Sequence, residues 1–262
     1  MNARFSLNNQ DSGQHQRRLT VPLAAVASHC SQRDMKDAQC FHPETIFSSA
    51  SIQREISSQA RLEKDNYLRQ VALEKAQQGE YSKTIELLTQ LIERNAGNAN
   101  DYNNRGLAYF QSGQLDLAIA DYNQAIQLNP HLAGAYNNRA NYYASQGFLE
   151  EAIEDYDKTI DLNPVHIRAW INQGITFRDM GEYEQAIDNF DFALRLGWLE
   201  GHVYAERGRT YHLLGDWNCA IADYHRSLEH LSQSKASNAS AAARLRQQVE
   251  NWLNELLSPF QS

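Results

Sequence analysis

Three arginines in this chain of 262 residues each stand sixteen residues before an aspartate: Arg105 before Asp121, Arg139 before Asp155 and Arg207 before Asp223. A guanidinium and a carboxylate can meet through two parallel charge-assisted hydrogen bonds, a strong and directional contact. The same spacing joins two neutral amides, Gln173 and Asn189, and two apolar side chains, Val71 and Leu87. The two positions change character together, which a direct contact between them explains. The six charges are therefore read as structural pairs.

The residues supply no other recognisable chemistry. The chain has no phosphate-cradling glycine loop, no dinucleotide fingerprint, no paired zinc histidines with a glutamate between them, and no nucleophile elbow. Acid pairs such as Glu150 and Glu151 read as a solvated helix face rather than an acid/base couple. Catalysis, a cofactor and a metal are thus not expected. His29, Cys30, Cys40 and His42 hold the right atoms for zinc, but nine residues separate the two cysteines, wider than the usual pairing. A regulatory tail that senses metal or redox state through these four is the alternative reading of function. Three scattered cysteines give no disulfide framework. A net charge of −8 disfavours nucleic acid, whose phosphates need a basic field. No apolar run reaches the roughly 18–20 residues that span a bilayer, and a cytoplasmic location is expected.

The elements that must bring the paired residues together are repeats. Arg105-Gly106, Gly113, Ala118-Ile119 and Tyr122 return 34 residues later around Arg139, and twice more around Gln173 and Arg207. Five units of equal length follow, 65–98, 99–132, 133–166, 167–200 and 201–234. Each has a glycine at position 15, where two antiparallel helices would turn. Large side chains recur at positions 4 and 11, small ones at 8 and 20, and a ring at 24, so two helices can approach closely around a ring-filled seam. Asn129-Pro130 and Asn163-Pro164 are expected to end second helices, with asparagine in the left-handed conformation. Residues 1–48 read as a disordered tail rather than a signal peptide, 49–64 as a leading helical segment, and 241–257 as a helix that caps the array, dimerisation being its rival role. Trp198, in place of that proline, is expected to pack on a neighbouring unit, with partner binding as the rival.

These residues resemble the tetratricopeptide repeat family. The resemblance covers 65 to about 232, with a worn first unit and a departure at Gly197-Trp198. It implies an all-α, right-handed solenoid of five helix-turn-helix units whose first helices line a concave groove. Carried over by position, that groove includes Asn103, Asn104, Asn137, Asn138, Asn141, Arg168, Asn172, Arg178, Arg209 and His212. Asn104, Asn138 and Asn172 would form a ladder on which a peptide main chain could lie, similar to the one in the repeat domain of O-GlcNAc transferase. No transferase domain is present. The family's two-carboxylate clamp is not met in any three consecutive units. The wording of the repeats also resembles cyanobacterial and plastid members, several of which are assembly factors. The expected function is a monomeric, non-catalytic scaffold that binds an extended, acidic partner peptide, with its acidic end near Arg168, Arg178 and Arg209.

Overall fold

A computed structural model describes residues 49–232 and 239–258. The tail, with His29, Cys30, Cys40 and His42, lies outside the described residues. Among them are eleven helices and no strand: α1 (Ser49–Gln77), α2 (Tyr81–Arg94), α3 (Ala99–Gln111), α4 (Leu115–Leu128), α5 (Ala133–Gln146), α6 (Leu149–Leu162), α7 (Ile167–Met180), α8 (Tyr183–Arg195), α9 (Glu200–Leu214), α10 (Trp217–Ser232) and α11 (Ala239–Leu257). Each helix packs on its neighbours in the chain, and α3, α5, α7 and α9 also touch in series, so first helices form one layer and second helices another. The leading segment and the first helix of unit one are a single element, α1. None of the described helices is long and apolar enough to cross a membrane.

Within a unit the seam is an alanine and a ring. Ala118, Ala152, Ala186 and Ala220 are buried, as are Tyr122, Tyr156, Phe190 and Tyr224. In units two, four and five a glycine at position 8 admits the ring: a Cβ added to Gly106 would stand 2.8 Å from Tyr122 Cε1 and 3.2 Å from the Ala118 carbonyl oxygen, whereas unit three holds Ala140 there. The turn glycines at position 15 adopt positive φ, Gly147 at 82°, which lets Gly147 and Phe148 return hydrogen bonds to Ala144 and Tyr143.

The helix ends differ from the expected left-handed asparagines. Asn129 and Asn163 are extended, at φ −142° and −146°. A following proline pushes its predecessor towards extended backbone, and each side chain then accepts a main-chain bond two residues on, from His131 and Val165. Unit four does turn through left-handed Gly197 (φ 73°), followed by Leu199 at 57°. A side chain in that region costs about 1–2 kcal/mol. Trp198 between them is 71% exposed, so it does not pack on a neighbouring unit.

Position 7 joins three helices. Arg105 donates from Nε and Nη2 to both oxygens of Asp121 at 2.8 Å, and Arg139 to those of Asp155 at 2.7 and 2.8 Å. Arg207 does the same to Asp223 at 2.7 and 2.9 Å. The third nitrogen reaches back to position 25 of the preceding unit: Thr89 from Arg105, Asn123 from Arg139 and Asp191 from Arg207. Gln173 keeps the pattern without a charge of its own, accepting from Asn189 at 3.0 Å and donating to the Asp157 carboxylate at 2.6 Å. Each guanidinium also lies between tyrosine rings one helical turn away on either side, Tyr136 and Tyr143 at 5.6 and 5.9 Å for Arg139. The sequence conceals the link to position 25, because that residue varies too much to show a pattern.

Asp155 is nearly buried, so Arg139→Ala would strand a carboxylate and destabilise by up to about 3–5 kcal/mol. Arg139→Gln together with Asp155→Asn reproduces the unit-four arrangement and should recover most of that loss. Denaturant unfolding of the double-mutant cycle measures it; strict additivity of the two single changes would contradict the coupling.

Candidate functional site

The layer of first helices carries the residues expected to form the groove, and the structure gives most of them a partner inside the chain. Asn138 Nδ2 donates to Asn103 Oδ1 at 2.9 Å, which joins α5 to α3. Asn172 Nδ2 donates to Asn141 Oδ1 at 2.9 Å, joining α7 to α5. Arg178 Nη1 meets Glu206 Oε2 at 2.6 Å between α7 and α9, both side chains largely covered. At the near end Arg69 holds Asp101 through two bonds of 2.7 and 2.8 Å. At the far end Arg209 approaches Glu255 of α11 at 3.5 Å. Every junction between successive first helices thus carries one polar tie, made of amides in the middle and ion pairs towards the ends.

The open ladder needs correction accordingly. Asn103, Asn137, Asn138 and Asn141 are buried, Asn172 is half-buried, and of the ladder only Asn104 is exposed. Asn104 lies in the second unit, where the preceding helix offers apolar Leu73 at position 9 and no amide to tie to. The signal was present in the sequence: position 6 changes from asparagine to Glu206 in the unit that follows Arg178. The reading of position 6 as a ligand contact concealed it.

The charge picture changes too. Arg178 is neutralised by Glu206, with Asp179 at 3.7 Å, and Arg209 lies near Glu255 and over the Trp252 ring at 5.4 Å. Burial, and then the Arg209 charge, push His212 below the usual imidazole range. Its Nδ1 lies 3.2 Å from the Tyr224 hydroxyl and 3.3 Å from Arg209 Nη1. His212 therefore adds less positive charge than an ordinary imidazole would. Arg168, on the first turn of α7, is half-buried, and burial pushes its guanidinium down.

Two hydroxyls at position 24 differ in a way position 9 explains. Tyr156 donates to Asn141 at 2.7 Å, whereas Tyr122, with Leu107 at the equivalent place, has a buried hydroxyl without a partner among the described residues. Beyond unit five, α11 lies on α9 and α10, burying Val249 and Leu256 against Ala205, Ala220 and Tyr224. Trp252 stacks on Tyr224 at 6.0 Å.

Removing the Tyr122 hydroxyl with Tyr122→Phe should leave stability unchanged or raise it by about 1 kcal/mol, because a buried unpaired group is relieved. Tyr156→Phe should lower it by a similar amount, since a made bond is lost; urea midpoints of the two variants decide. Deleting residues 239–262 should lower the melting temperature and promote association, and Val249→Asp should act in the same direction by placing a charge at a buried site. An unchanged melting temperature in both would show that α11 adds nothing to the array.

The family model described as TPR repeat matches residues 106–147, and that described as Tetratricopeptide repeat matches 133–166. No curated protein matches significantly. Similar solved structures include one described as MamA protein, at 20% identity and a TM-score of 0.54, covering 63% of this chain and 90% of the other. MamA MSR-1 stands at 23% and 0.52, covering 63% and 95%. TTC0263, a thermophilic TPR protein in Thermus thermophilus, stands at 16% and 0.60, covering 72% and 98%. At these identities the likeness is one of fold. Residues 106–166 are thus tetratricopeptide repeats, and helix pairs of the same kind continue them on either side.

Proposed function

We propose that the chain is a non-catalytic scaffold that holds an extended segment of a partner protein against the layer formed by α3, α5, α7 and α9. The observation that carries this reading is the tie at each junction of that layer. A face whose helices are bonded to one another is already in its binding shape, and little ordering remains to be done when a partner arrives. The groups left over suit a main chain. Asn100 and Asn104 are exposed amides, each a donor and an acceptor, and Leu107 and Ile175 offer half-buried apolar contact. Recognition then depends on neutral hydrogen bonds in unit two and apolar contact as far as unit four.

An acidic end of the partner would meet Arg168, Arg178 and Arg209 over units four and five. It gains there by exchanging its carboxylates for Glu206 and Glu255, so its contribution is smaller than that of arginines lacking acid neighbours. Participation in complex assembly is the biological setting this reading favours.

Affinity capture with the full chain tests it. Asn100→Ala with Asn104→Ala, both at exposed sites, should cut the yield of wild-type partners about tenfold, the loss expected of a central contact, while helical content stays unchanged. The same partners at the same yield would place recognition off this face.

A further inference from the structure

A second surface stands apart from the layer of first helices, on the edge where second helices turn into the next first helix. Trp198 and Leu199, in the turn from α8 to α9, are 71% and 49% exposed, and Val165, in the turn from α6 to α7, is 68% exposed. Val165 and Leu199 hold the same place in adjacent units, so they lie along one edge.

A row of contacts runs between the two turns. The Pro164 carbonyl accepts from Trp170 Nε1 at 2.9 Å, the Trp170 ring lies 4.2 Å from Phe192, and the Arg195 guanidinium sits 5.5 Å over Phe192. Trp198 follows three residues after Arg195, in the turn beyond the end of α8. Among the described residues Arg195 makes no ion pair, whereas the clamp arginines and Arg178 and Arg209 each meet a carboxylate.

The backbone holds this row open. Gly197 and Leu199 are both left-handed and flank Trp198. The solenoid does not require that strain, since the turns at Asn129 and Asn163 do the same work with extended backbone. Strain kept where the fold has no need of it points to a site.

We propose that this edge docks an amphipathic helix of a partner protein, with a stripe of large aliphatic or aromatic side chains bordered by carboxylates. An apolar row one side chain wide fits the i, i+3, i+7 stripe of a helix, and exposed tryptophan beside arginine is the composition of an energetic anchor. Arg195 supplies the charge complement for a carboxylate.

The test uses the full chain and labelled short helical peptides with leucines at helical spacing, flanked by glutamate in one set and by lysine in the other. Fluorescence anisotropy should show binding of the glutamate set and not of the lysine set. Trp198→Ala and Arg195→Glu should each weaken it about tenfold or more. Asn104→Ala should leave it unchanged, which separates this edge from the layer of first helices. Absence of binding to the glutamate set, or binding by both edge variants equal to that of the wild type, overturns the proposal. So does a dimer seen by sedimentation that Trp198→Ala dissociates, which assigns the edge to a second copy. Co-sedimentation with phosphatidylcholine–phosphatidylserine vesicles that Trp198→Ala abolishes assigns it to lipid, and overturns the proposal as well.

Discussion

The solenoid depends on one side chain per unit reaching in two directions. Arg105, Arg139 and Arg207 each bind an aspartate on their own second helix and a polar residue on the second helix before it. Such a fork fixes three helices relative to one another, which apolar packing alone does loosely. Its value is directional, because a largely buried ion pair adds little net stability over well-packed apolar groups. Unit one illustrates the point: among the described residues no second helix precedes it, and its pair is apolar Val71 and Leu87. The rest of the seam serves this contact. Tyrosines above and below shield the guanidinium, and the neighbouring small residue at position 8 lets the helices come close enough for the fork to reach.

A second line of polar contacts runs along the opposite side of the first helices. Arg69 with Asp101, Asn103 with Asn138, Asn141 with Asn172, Arg178 with Glu206 and Arg209 with Glu255 follow one another down the layer. Helices held on both sides leave little freedom for the curvature of the layer to change. The face it presents is mostly neutral at its centre, despite a net charge of −8 for the chain. Selection among partners then falls to shape and to the few amides left exposed, with electrostatics acting through exchange.

Unit four is where the pattern loosens. Its clamp is an amide pair, its closing turn departs from Asn-Pro, and its end displays Trp198 beside Arg195. The neutral clamp still reaches Asp157, so the stacking of units is kept while the outer edge is altered. A repeat array tolerates such a change because each unit contacts only its neighbours. Partner-specific features can therefore be added to one unit at little cost to the others.

The period of 34 residues, the turn glycines and the small-and-ring seam determined the helix pairs and their number, because each unit must bury the same face against a like neighbour. The joint variation of positions 7 and 23 pointed in advance to the residues that meet. Tertiary stacking decided what the asparagines do. Asn138 and Asn172 would serve equally well in a ligand ladder or in a tie, and only the closeness of the preceding helix brings Asn103 and Asn141 within bonding distance. It also decided the charge of the groove, since Glu206 and Glu255 reach their arginines from other helices. Trp198 was decided in the same way: its type suggested burial, but the left-handed residues on both sides turn it to solvent. In each case the residue's chemistry allowed two partners, and distance across the fold selected one.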